Sequence, residues 1–306
     1  MLTGFAIIGV VILAGYVIGR TGIGGPGAGF VLNRVAFFVA TPALLFTIMA
    51  HADIGILASP FFRVSVLAIV TAAVLYLAVG VFVLHQKLPE LTLATASSSY
   101  VNANNIGLPV AIYVLGDPVY VAPVLLIQLL FMAPTALALL DISVTGNASF
   151  RSIITQPVRN PMIIASLLGV LVSLFGIPLP DAVLAPLDLI GQAAIPMVLM
   201  AFGISLHGQK PLRAGSGRKQ VLTASFIKVV LMPVAAYLLG EFVFHLPPDD
   251  LFAAVAVAAL PTAQNIYNFS ARYERGEVPA RDTVLLTTVA SVPAMFLIAA
   301  LLAVHR

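Results

Sequence analysis

The 306-residue chain has no cysteine and no tryptophan, and only 9% of its residues are charged. Without cysteine there is no disulfide, no thiolate metal site and no cysteine nucleophile. The five histidines (His51, His85, His207, His245 and His305) lie near the ends of apolar stretches and show no ligand spacing, so no metal site is expected. The net charge of +3 comes from cations in short connections that form no basic face, which argues against a nucleic-acid partner. No glycine-rich loop with a phosphate-binding lysine occurs, so direct ATP drive is not expected. The spans carry no paired acid and no nucleophile with a base, so an enzyme is not expected either. What is present is apolar: 60% of the residues are hydrophobic. At that density, long apolar runs indicate an all-α membrane protein.

At roughly 20 residues per crossing, ten spans are expected, near 2–19, 29–50, 61–84, 89–115, 118–140, 160–177, 183–206, 219–244, 249–271 and 281–304. The longest connections, 141–159 and 207–218, are too short for a soluble domain. Leu2 to Ile18 has no basic residue before it, so it reads as a first membrane helix rather than a cleaved leader. The cations set the orientation. Arg20, Arg34, Lys87, Arg151, Arg159, Lys210, Arg213, Arg218, Lys219, Arg272, Arg275 and Arg281 fall on one side, against Arg63 and Arg306 on the other. The basic side is cytosolic, which puts both termini outside, with a bacterial inner membrane as the expected location.

The sequence also repeats itself at a distance of 160 residues. Gly80, Phe82, Val83, His85 and Leu91 recur as Gly240, Phe242, Val243, His245 and Leu251, and Ala103-Asn104-Asn105-Ile106 recurs as Ala263-Gln264-Asn265-Ile266. With five spans to each copy, residues 1–141 and 157–306, the two copies must lie in opposite orientations. Such a 5+5 inverted repeat is the architecture of many secondary transporters, with the site near the midplane where the repeats meet.

The second duplicated block falls inside spans 4 and 9. Asn102 lies about 20 Å along a helix from Pro89, past the centre of a core roughly 30 Å thick. Pro109 lacks an N–H and clashes with the carbonyl four residues earlier, and Gly107 eases a break, so span 4 should be interrupted near 105–109. Pro261 should interrupt span 9 in the same way. Broken helices offer N–H groups at the positive ends of half-helices, which attract anions. Asn102, Asn104, Asn105, Gln264 and Asn265 add donors and acceptors without net charge. Together with Gly107, Pro109, Pro261, Thr262 and Asn268 they form the candidate substrate site. The alternative role for these amides is to cap broken ends and glue helices together.

Tyr100 and Tyr267 flank the block as contact or packing residues. Lys228, inside span 8, is a candidate anion contact or gate, though it lies near enough to the cytosolic end to snorkel. Gln128 in span 5 reads as packing. Neither block holds Asp or Glu, so no proton relay is visible. Free carbonyls with Gln264 could hold Na⁺, and coupling to Na⁺ or H⁺ stays open.

Asn102-Ala-Asn-Asn-Ile-Gly-Leu-Pro109 and Pro261-Thr-Ala-Gln-Asn265 resemble the auxin efflux carrier family, in particular its bacterial members labelled malonate or malate permeases. The likeness covers the whole chain, without the long central loop of the plant carriers. It implies a scaffold of helices 1, 2, 6 and 7 and a transport domain of helices 3–5 and 8–10, with elevator-like movement. It also implies a homodimer and an organic anion held where broken helices 4 and 9 cross, at Asn105, Pro109, Pro261 and Asn265. The fold is shared more distantly with sodium-coupled bile acid transporters. The expectation is thus a secondary transporter of small carboxylates, working as an efflux carrier without ATP. Its alternatives are a sodium-coupled organic-acid or bile-acid-type symporter and a non-transporting membrane receptor or structural subunit.

Overall fold

The computed structural model describes residues 2–51, 55, 59–145, 160–207 and 217–302. Arg151, Arg159, Lys210, Arg213 and Arg306 of the orientation count, and His305, lie outside these residues, as does the side chain of Arg272. The described chain is helical throughout, with one isolated β-bridge and no strand.

In chain order the helices are α1 (Leu2–Thr21), α2 (Ala28–His51), α3 (Pro60–Phe82), α4 (Leu88–Ser99), α5 (Ala103–Leu115) and α6 (Pro118–Ser143). Then follow α7 (Pro161–Leu174), α8 (Asp181–Leu206), α9 (Arg218–Val243), α10 (Pro248–Ala258), α11 (Asn265–Tyr273) and α12 (Glu277–Leu302). Six of these, α2, α3, α6, α8, α9 and α12, are long and apolar enough to cross a membrane. Expected spans 4 and 9 each appear as two pieces, α4 with α5 and α10 with α11.

Four helices carry a proline past a widened π-helical turn and are not broken by it. The π turns Ala36–Ala40, Ala103–Gly107, Gln128–Met132 and Ile227–Leu231 each end two residues before a proline: Pro42, Pro109, Pro134 and Pro233. A proline ring clashes with the carbonyl four residues back. An extra residue in the preceding turn moves that carbonyl out of the way, and such insertions are rare outside special sites.

The chain divides into two compact units. One comprises Met1–Leu57, Asn104–Leu126 and Thr155–Gln209; the other comprises Ala58–Ala103, Ile127–Ile154 and Lys210–Arg306. In the first, α1 packs on α8, and α7 and α8 pack on α2. Glycine sets the spacing: a Cβ at Gly15 would collide with the Met200 backbone, and one at Gly203 with the Ile12 carbonyl. Backbones that approach so closely gain van der Waals contact, the main source of helix association in lipid. Gly169 and Gly191 do the same where α7 and α8 meet Phe46 and Leu44 of α2.

In the second unit α3 packs against α4, α9 and α10, and α12 against α4, α9, α10 and α11. The duplicated sequence makes duplicated turns here. Gln86 N–H donates to the Gly80 carbonyl at 2.9 Å, and Leu246 N–H to the Gly240 carbonyl at 2.8 Å. His85 and His245 both sit at φ 48°. Gly80 leaves room for Leu91, and Gly240 for Leu251.

Candidate functional site

Both interruptions lie in the second unit, and each satisfies the other's backbone. Helix α4 stops at Ser99, and Tyr100 turns extended at φ −86°, ψ 104°. Helix α10 stops at Ala258, and helix resumes only at Asn265. Between them Val101 and Thr262 form an antiparallel bridge. Asn102 N–H donates to the Pro261 carbonyl at 2.7 Å, and Ala263 N–H donates to the Tyr100 carbonyl at 3.0 Å. Buried backbone groups released by a helix break need hydrogen-bond partners, and these two segments find them in each other.

Side chains complete the pairing. The Thr262 hydroxyl donates to the Ser97 carbonyl at 2.6 Å, and the Thr287 hydroxyl accepts from Thr262 N–H at 3.1 Å. Gln128 Nε2 donates to the Val101 carbonyl at 2.9 Å. Thr262 is fully buried, and Tyr100 and Asn102 nearly so. The hydroxyls of Ser97, Ser98 and Ser99 bond back to carbonyls of their own helix, at Leu93 and Thr95. The three serine hydroxyls are thus used within their own helix, whereas the neighbouring Thr95 hydroxyl is buried with no hydrogen-bond partner.

The first break does not lie at 105–109, where Gly107 and Pro109 pointed. It lies at Tyr100–Asn102, and the chain is helical again from Ala103 through Pro109. The π turn Ala103–Gly107 absorbs the clash of Pro109, which sits at the start of the following α-helical turn, where a missing N–H matters less. The second break falls where Pro261 placed it. The backbone groups released at the observed break, Asn102 N–H and the Tyr100 carbonyl, are used in the pairing with the second segment.

The predicted residues divide between the units. Tyr100, Asn102, Lys228, Pro261, Thr262, Gln264, Asn265, Tyr267 and Asn268 belong to the second, whereas Asn104, Asn105, Gly107 and Pro109 belong to the first. In the second unit Asn265 opens α11, and its side chain is hydrogen-bonded to the Tyr100 hydroxyl. Gln264 and Asn265 are partly exposed, Tyr267 is half-buried and Asn268 is exposed. Amides at the start of a helix, beside its first N–H groups, can hold an anion without supplying a net charge. In the first unit Asn104 Nδ2 donates to Asn105 Oδ1 at 2.8 Å. The Asn104 carbonyl oxygen, Oδ1, is buried and accepts no hydrogen bond from protein.

Lys228 lies within the π turn of α9 and is fully buried. It does not snorkel. Its ammonium donates to the Ala258 carbonyl, the last residue of α10, at 2.7 Å, with Met232 Sδ at 3.3 Å. Two roles were not legible beforehand, Gln128 as a partner of the first break and Thr287 as a partner of the second. For Gln128 and Lys228 the sequence offers only a polar residue a few positions before an in-span proline, Pro134 or Pro233; the π turns that hold them are seen only in the structure. Among the described residues no group of three or more His, Asp or Glu could hold a metal ion.

Comparison with known proteins agrees with a transporter. The chain is 26% identical over 268 residues to a Rhizobium meliloti protein named "Putative malonate transporter", covering 85% of this chain and 83% of that one. It is 28% identical over 203 residues to an uncharacterized transporter of Methanothermobacter thermautotrophicus, covering 65% of each. It is 21% identical over 292 residues to an uncharacterized transporter of Methanocaldococcus jannaschii, covering 93% of each. The profile of the family described as "Membrane transport protein" matches residues 1–140 and 145–299. The chain thus belongs to the membrane transport protein family, which is the auxin efflux carrier family.

Proposed function

We propose that the protein is a secondary transporter of small organic anions, carboxylates of the malonate class, working by elevator-like alternating access. The observation that carries this reading is the pair of interrupted helices whose breaks are hydrogen-bonded to each other and edged by Asn102, Thr262, Gln264 and Asn265. A structural subunit has no need of two helix breaks at membrane depth. The name of the Rhizobium meliloti relative supports a dicarboxylate as substrate. The duplicated turns at His85 and His245 support a ten-span 5+5 inverted repeat. Expected helices 1, 2, 6 and 7 fall in the first compact unit, but so does Asn104–Leu126, which the resemblance assigns to the transport domain, so the two compact units match the scaffold and transport domain only in part. By the sequence duplication, Asn105 takes the role in its block that Asn265 takes in the other. A homodimer is part of this reading by family resemblance.

Export needs no coupling ion. A membrane potential of about 100 mV contributes about 2.3 kcal/mol per charge moved, which sustains a gradient of roughly 50-fold for a monoanion leaving a negative interior.

The test is uptake of labelled malonate, malate and indole acetate into proteoliposomes under an imposed potential, with and without a Na⁺ gradient. The expected result is potential-driven flux that Asn105→Ala and Asn265→Ala abolish while both variants stay folded. Flux that appears only with Na⁺ identifies a symporter, and equal flux in the parent and both variants removes the proposed site.

A further inference from the structure

We propose that the Lys228 ammonium occupies a monovalent-cation position at the carboxyl end of the broken helix α10, as a fixed internal cation in place of a bound Na⁺. As a statement about coupling, this rests on the transporter reading above; as a statement about a cation site, it stands alone.

The position has the chemistry such a cation needs. Helix α10 ends at Ala258 inside the protein, and the last carbonyls of a helix lack intrahelical partners. They form the negative end of the helix dipole, which favours a cation. Every residue of α10 from Leu251 to Ala258 is buried, so bulk water does not screen that end. In transporters with interrupted helices, carbonyls at the ends of half-helices are where Na⁺ is held. Here the Ala258 carbonyl receives the Lys228 ammonium at 2.7 Å, and the Met232 sulfur lies 3.3 Å from the same nitrogen.

Asp282 is the fully buried carboxylate among the described residues, and it forms an ion pair with Arg281 at 2.8 Å. A fully buried lysine is costly, and a snorkelling one would not be turned inward. Its direction, from the π turn of α9 onto the end of α10, is the feature that a packing role leaves unexplained. An ammonium at this place puts the charge of a monovalent cation at the end of α10 without an ion that has to be loaded or released.

The proposal predicts that removing the ammonium uncovers a cation site. The experiment compares the purified parent, Lys228→Ala and Lys228→Met for thermal stability in detergent, in choline chloride, sodium chloride and methylammonium chloride at equal ionic strength. The parent should melt at the same temperature in all three salts. Lys228→Ala should melt lower in choline and regain several degrees in sodium or methylammonium, because a ligand that binds only the folded state stabilises it. Lys228→Met, which keeps most of the side-chain volume, gives the same comparison should the alanine variant not survive extraction. A parent that sodium stabilises, or a folded variant indifferent to both cations, overturns the proposal. The readout needs no substrate, so failure to transport malonate would count against the function proposed above and leave this result intact.

Discussion

The two hairpin turns around His85 and His245 and the two helix breaks at Tyr100–Asn102 and Ala259–Gln264 lie in or beside the stretches of sequence that recur 160 residues apart, yet the two pairs match to different degrees. The turns are copies down to the hydrogen bonds: Leu84 N–H to the Val79 carbonyl at 2.9 Å, and Phe244 N–H to the Leu239 carbonyl at 2.9 Å. The breaks are not copies. One is followed by a π turn and Pro109, whereas the other contains Pro261 itself. Gln128 serves the first, and Thr287 and Lys228 serve the second. A turn only has to reverse the chain, and two identical solutions do that equally well. Two breaks that face each other must fit as partners, and partners need not be alike.

This contrast can be tested, beginning where the effect should be largest. Asn265→Ala and Asn105→Ala should each lower malonate flux at least tenfold; flux by one variant equal to the parent would show that the duplicated amides have also parted in function. Next come the turns. Gly80→Ala and Gly240→Ala should each destabilise the protein, by about 1–3 kcal/mol, because overpacking forces Leu91 or Leu251 to move. Matched losses in a thermal melt support twin turns, and a loss at only one breaks the equivalence. Gln128→Leu should cost about 1 kcal/mol, since the Val101 carbonyl keeps the Ala103 N–H at 2.8 Å. The smallest effect is a gain. His85→Gly and His245→Gly should each stabilise by roughly 0.5–1 kcal/mol, the αL cost relieved less the extra entropy of glycine; destabilisation by either would show that its ring does more than cap a turn.

These residues also show what could be read from the sequence. Apolar length foretold a helical chain, and six of its helices are long and apolar enough to cross a membrane, because burial in lipid acts on every residue of a span. Pro261 marked its break because nothing nearby compensates for it. Pro109 misled by several residues: its steric clash is real, but a π turn two residues upstream removes it, and no rule of apolar periodicity reveals an added residue in a turn. Lys228 stood out as a charge in an apolar span, but its partner did not. Ala258 is 30 residues away and is made special only by where its helix ends. The pairing of Val101 with Thr262 was hidden for a related reason, since the backbone bonds that hold it carry no mark in side-chain type.

That pairing has a consequence for how the protein is made. At elongation rates of about 5–20 residues per second, roughly ten seconds or more separate the synthesis of Asn102 from that of Pro261. Until then the Tyr100 carbonyl and Asn102 N–H lack the partners they have in the finished protein, and in hydrocarbon each would cost several kcal/mol. The first half therefore stays incomplete at this point until the second half has been made. A chain cut short before Pro261 lacks both partners and leaves the Tyr100 carbonyl and Asn102 N–H without these bonds, so it should be degraded faster than the full chain.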